Sequence, residues 1–345
     1  MLKARVFCPA AGAFLPFFFG LAFARSVTIL DPLSPFGLEV RRLFLIVLIL
    51  AALIVVVVYG VLGWSVYRYR TRQEDFRVEH EASSLKGNER LEVIWTALPL
   101  LMVLFLFGVT VESLVNRVLP AGGYRVEVEA RQYFWNFAYP EGFRTSNELV
   151  IPVGRRVDVV GTAADVLHAF WAPNLGPDVD LIPGQSTRTF LEAHRLGRYL
   201  GECNQLCGPG HARMLFRVVA LPEAEYARFV RAAQAFKPAA ATPLAQRGEI
   251  LFRQSCAACH RVEGVSQGTV GPDLTLFGLR TTLGAGFLPN TRANLEAWIQ
   301  NAPALKPGVR MPPFPNLTPQ DLEALAAFLE GLKPRGLDFS TLPER

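Results

Sequence analysis

Four side chains that bind soft metal ions lie within twelve residues of the sequence, at Cys203, Cys207, His211 and Met214. Two thiolates, an imidazole and a thioether are more soft ligands than one zinc ion ordinarily uses. Soft sulfur together with imidazole selects copper, particularly in electron-transfer sites. Two thiolates four residues apart in one loop can also bridge a pair of metal ions. This loop therefore predicts a copper site that transfers electrons.

Two other interpretations of the loop stay open at this point. Two cysteines in an exported domain commonly form a disulfide, and Cys-x3-Cys-x3-His is also half of a zinc site. Neither interpretation explains Met214 or the upstream His168. The copper interpretation gives both residues a role.

A second group of chemically active residues follows at Cys256-Ala-Ala-Cys259-His260. This is the spacing for covalent attachment of heme c, in which Cys256 and Cys259 form thioethers and His260 ligates the iron. A redox pair or half of a zinc site is the alternative. The sequence after His260 contains no further histidine and a single methionine, Met311. Met311 is therefore the candidate for the Met/His ligation that raises the potential of a heme.

The composition indicates a membrane protein with soluble parts that carry these sites. The chain has 345 residues, enough for two or three domains, and 51% of them are hydrophobic. Its net charge is +5, and no run rich in Lys and Arg with interleaved aromatic residues is present. Nucleic acid is therefore not an expected partner.

Two uncharged apolar runs, 43–64 and 93–111, predict a hairpin of transmembrane helices at about 41–66 and 91–118. At ~1.5 Å per residue, each run is long enough to cross a bilayer. The intervening loop is basic, which places it in the cytoplasm by the positive-inside rule. Its basic residues are Arg68, Arg70, Arg72, Arg77, Lys86 and Arg90. Everything after about residue 120 is then expected on the outer side.

The first 24 residues predict a signal peptide, and residues 25–119 are expected to form an N-terminal segment that contains the transmembrane hairpin. Lys3 and Arg5 precede an apolar run, and Ala22-Phe23-Ala24 provides a cleavage site. An uncleaved membrane anchor is the alternative interpretation.

The metal-binding loop is expected in an all-β domain at 120–231. Alternating strands such as Arg125-Val-Glu-Val-Glu-Ala, separated by turns, predict a sandwich. Residues 232–246, rich in Ala and Pro, predict a semi-stiff linker to a helical domain at 247–345. In that domain, Thr318 and Pro319 open a helix with Leu322 on its apolar face.

The copper loop resembles the binuclear CuA loop of cytochrome c oxidase subunit II, and Asp165-Val166-Leu167-His168 matches that family's upstream motif. The resemblance implies a cupredoxin-like Greek-key sandwich. It also implies that Cys203 and Cys207 bridge two copper ions, with His168 and His211 each binding one. Met214 would be a weak ligand, and Gln205 would contribute its backbone carbonyl. The family usually has Glu where Gln205 stands, and that carboxylate also binds magnesium. Because Gln205 is neutral, a magnesium site is doubtful in this chain.

The resemblance gives roles to three further residues. Glu92 opens the second helix and would lie at the mouth of a proton pathway; a carboxylate capping the helix start is the alternative. Tyr133 stands where many oxidases have the Trp that receives electrons from soluble cytochrome c, and Trp135 lies in the same aromatic stretch. Packing inside the sandwich is the alternative for both rings.

The region after the linker resembles a class I cytochrome c, carried by Gly271-Pro-Asp-Leu and Met311-Pro-Pro. The order of segments matches subunit II of a bacterial caa-type oxidase in the inner membrane, a multi-pass protein in contact with lipid. This resemblance implies electron flow from soluble cytochrome c or a bc complex to heme c and CuA. Subunit I, with heme a, a high-spin heme and CuB, would then reduce oxygen and pump protons alongside the other subunits. The fusion would replace a diffusional encounter with a tethered one.

Two further hypotheses keep the metal sites and change the context. The first is the CuA and heme c subunit of a nitric oxide reductase. The second is a membrane-anchored copper chaperone or electron shuttle, although heme c argues against a chaperone.

Overall fold

Two long apolar helices form the first part of the chain in the computed structural model, which describes residues 31–70, 87–115 and 123–345. Helix α1 spans Pro35–Tyr69 and helix α2 spans Glu89–Val115. Both are long and apolar enough to cross a membrane, and the large apolar side chains along them are mostly exposed in the isolated chain. A bilayer would cover such side chains.

Helix α1 begins earlier and ends later than the predicted 41–66. Ser34 caps its start, because the Ser34 hydroxyl accepts a hydrogen bond from Gly37 N at 3.0 Å, and Pro35 fills the first helical position. The apolar run marks only the lipid-embedded part of a helix, so these flanking turns were missed. The signal peptide, most of the basic loop and the predicted end of the second helix at residue 118 lie outside the described residues.

The predicted β-sandwich is confirmed as two sheets of five strands. The first sheet has the order β3-β2-β1-β5-β8, with β1 Tyr124–Arg131, β2 Phe134–Ala138, β3 Arg144–Ser146, β5 Val157–Ala163 and β8 Thr187–Leu191. The second has the order β4-β10-β9-β6-β7, with β4 Glu148–Pro152, β6 His168–Trp171, β7 Val179–Leu181, β9 Gly197–Cys203 and β10 Leu215–Leu221. Strand β1 pairs in parallel with β5, and β4 with β10.

Aromatic side chains from both sheets fill the space between them. Along β1, Val126 and Val128 are buried while Glu127 between them points outward, as the alternation predicts. Trp135, Phe170 and Phe216 form the centre of the core, where the rings of Phe170 and Phe216 stack at 4.6 Å between centroids. This rigid core supports the ends of β6 and β9, from which the candidate ligands project.

The predicted helical domain is built on three helices, α4 Pro243–Ser255, α5 Arg292–Leu305 and α6 Pro319–Glu330, with four two-residue strands between α4 and α5. These strands are β11 Arg261–Val262, β12 Ser266–Gln267, β13 Thr282–Leu283 and β14 Leu288–Pro289. The expected start of the last helix is confirmed: Thr318 and Asp321 form a reciprocal capping box. Gly248 lets α4 approach α6 closely, because a Cβ there would lie 2.0 Å from Ala324 O.

The predicted linker at 232–246 is longer than the non-helical segment that the structure contains. Helix α3, Glu223–Ala235, follows the sandwich, and α4 begins at Pro243, which leaves residues 236–242 between them. Alanine favours helix, and Phe229 and Ala233 bury one face of α3. The alanines at the start of the predicted linker therefore continue a helix.

The cytochrome-like domain packs directly on the sandwich. Leu276, Leu279, Leu337 and Phe339 belong to the same hydrophobic cluster as the sandwich core. The last residues of the chain continue this contact, since Arg198 N donates to the carbonyl of Pro343 at 2.8 Å. The two domains are docked against each other rather than separated along a tether.

Candidate metal and heme sites

The sandwich brings all the predicted copper ligands together at one end. The sulfur atoms of Cys203 and Cys207 lie 3.8 Å apart. His168 Nδ1 lies 3.8 Å from Cys203 Sγ, and His211 Nδ1 lies 3.8 Å from Cys207 Sγ. On the remaining sides, Met214 Sδ is 3.8 Å from Cys207 Sγ and the carbonyl of Gln205 is 3.2 Å from Cys203 Sγ.

Backbone structure fixes this arrangement. His168 opens β6 and Cys203 closes β9, while His211 lies in a single 3-10 turn that leads into β10. The loop is closed at its base because Cys203 N donates to the carbonyl of Met214 at 3.0 Å. Both cysteines are free, and their separation is far from the ~2.05 Å of a disulfide bond.

Two glycines let the copper loop lie against Tyr133. A Cβ at Gly208, which has φ +129°, would lie 2.5 Å from the Tyr133 hydroxyl. A Cβ at Gly210 would lie 2.5 Å from the Tyr133 ring. Larger residues at either position would push the loop away from this ring.

Asp165 orients the first histidine of the site. Its Oδ1 accepts hydrogen bonds from His168 Nε2 at 2.9 Å and from Val166 N at 2.7 Å, and its Oδ2 accepts one from Gln132 N at 2.8 Å. Burial alone would raise the Asp165 pKa, but these hydrogen bonds outweigh it and lower the pKa. The carboxylate therefore holds the proton on Nε2 and leaves Nδ1 free to face the sulfur atoms. Sequence reasoning used Asp165 only as part of a motif and gave it no role.

One cysteine of the pair is in the form that binds a soft cation, whereas the hydrogen bond that Cys207 donates to Cys203 raises the pKa of Cys207. A hydrogen bond from the Cys207 thiol outweighs burial, and with the nearby His168 it lowers the pKa of Cys203 to about 3. The thiolate, which is the form that binds metals, is thus available at neutral pH. Two sulfurs, two imidazoles and a thioether in a largely buried cluster match the donor set of a copper electron-transfer site.

The predicted heme ligands meet in the second domain around a cavity of about 300 Å³. Cys256, Cys259, His260 and Met311 all line it. His260 Nδ1 donates to the carbonyl of Pro272 at 3.0 Å, which leaves Nε2 as the nitrogen that could bind iron. Burial lowers the pKa of His260, so the imidazole is neutral. The remaining walls are mainly apolar, and the residues present fit a heme.

The sandwich forms part of the wall of this cavity. Gln132, Tyr133 and Phe134 line it from the sandwich side, and Lys306 and Arg310 line it from the cytochrome-like domain. Lys306 is completely buried, and its Nζ donates to the carbonyls of Gly284 at 2.7 Å and Tyr133 at 3.4 Å. Sequence reasoning missed Gln132, Lys306 and Arg310, because only the docking of the two domains brings them together.

The remaining predicted site residues lie in different surroundings. Tyr133 is 6% exposed and Trp135 is completely buried, which supports the packing alternative for each ring. Neither ring offers a surface to a soluble donor in this arrangement. Glu92 lies exposed in the first turn of α2, and its proposed place in a proton pathway stays a prediction. Gln205 is half-buried, and nothing in its surroundings tests the magnesium expectation.

Comparisons with known proteins agree with this division of the chain. The cytochrome c oxidase subunit II transmembrane domain matches residues 24–114, its periplasmic domain matches 141–221, and cytochrome c matches 245–333. Cytochrome c oxidase subunit 2 of Alkalihalophilus pseudofirmus is 34% identical, over 94% of this chain and 97% of the relative. The corresponding subunit of Bacillus sp. strain PS3 is 33% identical, over 72% and 76%.

A solved structure, the periplasmic domain of subunit II of cytochrome oxidase from Bradyrhizobium japonicum, covers 34% of this chain and 97% of its own, at 30% identity and a TM-score of 0.33.

An apolar helical pair, a sandwich with a soft-metal cluster and a c-type cytochrome domain define a membrane-attached redox protein. More particularly, the chain belongs to the cytochrome c oxidase subunit II family and carries a cytochrome c domain at its C-terminal end.

Family membership settles several coarser points. The chain is part of a heme-copper oxidase, with which it associates as subunit II, and it takes part in electron transfer. It is a membrane protein with domains outside the membrane. Its sandwich is a copper domain and its helical domain a heme c domain, and we use these two names below.

Proposed function

We propose that this chain passes single electrons from an external donor to subunit I of a proton-pumping oxygen reductase. The heme bound by Cys256, Cys259, His260 and Met311 would receive the electron, and a binuclear copper centre in the copper domain would relay it to heme a of subunit I. The observation that carries this proposal is the shared wall of the two sites, because Gln132 and Tyr133 line the heme cavity and also touch the copper loop.

The burial of Tyr133 supports the heme c domain as the place where electrons arrive. The heme c domain covers this ring, since Gly308 packs on it, with an added Cβ only 3.2 Å from Tyr133 Cε2. A soluble donor would therefore reach the exposed Cys259 side of the heme c domain rather than the copper loop. Soluble cytochrome c or a bc complex fits this role.

The binuclear character of the copper site rests on the donor set. Two sulfurs at 3.8 Å, each with a histidine Nδ1 at 3.8 Å, form two equivalent halves around Cys203 and Cys207. A mononuclear site would use only one half of this arrangement. Covalent attachment of the heme is supported by the Cys-x-x-Cys-His spacing and by its position at the cavity.

The proposed function also gives the chain a place in the membrane and roles for Glu92 and Gln205. The copper and heme domains would lie on the outer side of the bacterial inner membrane, with both helices across it. Glu92 would open a proton pathway into subunit I. Gln205 would leave the copper loop without a magnesium ion. The oxidase names of the relatives favour oxygen over nitric oxide as the acceptor.

The test is purification of the intact complex in mild detergent, followed by measurement of oxygen and nitric oxide consumption. The proposal expects oxygen consumption with a reduced cytochrome c, and a loss of this activity in the double variant Cys256→Ala, Cys259→Ala that still holds copper. Removal of residues 240–345 would be a poorer test, because it takes Leu276, Leu279 and Phe339 out of the hydrophobic cluster of the copper domain. Full turnover by the double variant would contradict the proposed path.

A further inference from the structure

One side chain, Gln132, joins the two redox sites by hydrogen bonds. Its Nε2 donates to the carbonyl of Cys207, a copper-loop cysteine, at 2.5 Å. Its Oε1 accepts a hydrogen bond from Arg310 Nη2 at 3.2 Å. Arg310 directly precedes Met311, the candidate iron ligand. The path from one candidate ligand to the other therefore crosses two side chains, those of Arg310 and Gln132.

The backbone of Gln132 reaches the second half of the copper site. Gln132 N donates to Asp165, and the other oxygen of Asp165 accepts the proton of His168 Nε2. Gln132 thus contacts the copper loop directly at Cys207 and indirectly at His168. A displacement of Gln132 would therefore change the positions of both Cys207 and His168.

The surroundings leave this amide little freedom. A Cβ at Gly208 would lie 3.0 Å from Gln132 Nε2, so the loop backbone already touches the side chain. The next residue, Tyr133, is held between Gly210 and Gly308, with its carbonyl accepting from Lys306. Packing against the loop keeps the hydrogen bond from Gln132 to Cys207 in place, whereas the hydrogen bond from Arg310 lies at the exposed surface.

We propose that Gln132 is the positioning residue that couples the heme c domain to the copper loop and sets the rate of electron transfer between them. The inference rests on the proposed function. A heme held by Cys256, Cys259, His260 and Met311 would supply one electron, passing from ferrous to ferric, and copper held by the loop would be reduced by that one electron. Electronic coupling falls more steeply across an empty gap than along covalent and hydrogen bonds. The continuous path from Arg310 through Gln132 to Cys207 would therefore carry much of the coupling.

The two halves of the path can be broken separately in the full-length complex. Arg310→Leu removes the donor on the heme side without changing any residue of the copper domain. Gln132→Leu breaks both hydrogen bonds, whereas Gln132→Glu keeps an acceptor for Arg310 and loses the donor to the Cys207 carbonyl. Arg292→Leu is the matched control, since it removes an Arg of the heme c domain that pairs with Glu330 inside that domain.

The experiment photoreduces heme c rapidly and follows the arrival of the electron at copper by absorption. Copper electron paramagnetic resonance, both midpoint potentials and hydrogen exchange over residues 203–214 are measured on the same samples. We expect Gln132→Leu and Arg310→Leu to slow the transfer about tenfold, with Arg292→Leu unchanged. Faster hydrogen exchange in the loop should accompany the slowing in both path variants.

Non-additivity identifies a shared path. The double variant Gln132→Leu, Arg310→Leu should be no slower than Gln132→Leu alone, because the two residues act in one chain. Gln132→Glu should be slow although Arg310 retains its partner. Wild-type rates in Arg310→Leu and Gln132→Glu would overturn the inference, and so would fully additive losses. If Gln132→Leu binds no copper, the rate of electron transfer from heme c to copper in Arg310→Leu tests the inference by itself. A wild-type complex in which heme reduction never reaches copper would instead refute the proposed function.

Discussion

Glu148 of the copper domain accepts two hydrogen bonds from Thr281 of the heme c domain, at 2.7 Å from the backbone N and 2.9 Å from the hydroxyl. The same oxygen, Oε1, accepts two more from Thr282, at 3.0 and 3.1 Å. The carboxylate is buried, and its Oε2 has no hydrogen-bond partner among the described residues. Burial raises the pKa of Glu148. This contact fixes the heme c domain on the copper domain at a further place, in addition to Gln132, the shared hydrophobic cluster and the C-terminal residues.

Removal of the Glu148 carboxylate should loosen the docked domains. In Glu148→Leu, the four donors of Thr281 and Thr282 lose their acceptor, at a cost of about 1–3 kcal/mol for each donor that stays buried. Glu148→Gln should be much milder, because a carbonyl oxygen can replace Oε1 and the amide nitrogen can occupy the unpaired position. Thermal unfolding and proteolysis at residues 236–242 measure the difference. Equal stability of the Leu and Gln variants would contradict this role.

Loss of the Asp165 carboxylate should weaken copper binding. In Asp165→Asn, the amide no longer holds the proton on His168 Nε2 with a charge, so Nδ1 becomes a poorer ligand. Changes of this kind typically cost about 10–100-fold in metal affinity. Copper titration followed by electron paramagnetic resonance measures the effect, with Glu129→Gln, a half-buried carboxylate of the same domain that pairs with Arg131, as the control. Unchanged affinity would mean that packing alone orients His168.

Replacement of Cys207 by Ser should abolish the two-copper signal. A hydroxyl is a hard, weak ligand for copper and does not bridge the two halves of the site. We expect the mixed-valence hyperfine pattern to disappear while the heme spectrum stays intact. Electron paramagnetic resonance of the purified complex makes the measurement. Survival of the pattern would rule out bridging by Cys207.

The sequence allowed both sites to be predicted because their chemistry is local. Ligand types and spacings in the copper loop and around Cys256 do not depend on the tertiary fold, and the capping box at Thr318 is a contact between neighbours in sequence. The residues that connect the two domains could not be predicted in this way. Lys306 and Gln132 are ordinary polar residues in the sequence, because their partners across the docked domains, Tyr133 and Arg310, lie 173 and 178 residues away. The Ala-rich linker was too long for a related reason: helix α3 is decided by the burial of Phe229 against the sandwich.

Replacement of Met311 should leave the heme attached and change its iron ligation. Thioethers at Cys256 and Cys259 do not depend on Met311, whereas loss of the thioether ligand lowers the potential. In Met311→Leu we expect a fall on the order of 0.1 V, within the ~0.8 V range that axial ligands span. Redox titration and the optical spectrum report the change, with Met214→Leu as the control for a methionine outside the heme cavity. An unchanged potential and spectrum would show that Met311 does not bind the iron.

Lys306 should make the docked state dependent on pH. Burial lowers its pKa to about 7, with Arg213 adding to the effect and Cys207 opposing it. The folded protein then binds fewer protons than the unfolded chain between pH 7 and the ordinary lysine pKa of about 10.4. The contribution of Lys306 to the free energy of unfolding is therefore fully present above about pH 10.4. It decreases as the pH falls through this range, and it is lost once the pH has fallen through about 7.

The variant Lys306→Met removes the buried charge and fills most of the same volume. We expect it to stabilise the docked domains by a few kcal/mol near pH 6, and to make little difference near pH 10. Thermal unfolding of the complex is measured at several pH values for wild type and variant. The difference between the two proteins removes the contributions of the titratable groups that they share. Arg292→Met is the matched control, since Arg292 is an exposed cation of the heme c domain that pairs with Glu330 inside that domain. A difference that stays constant with pH would show that the buried Lys306 keeps its proton throughout, held by the carbonyls of Gly284 and Tyr133.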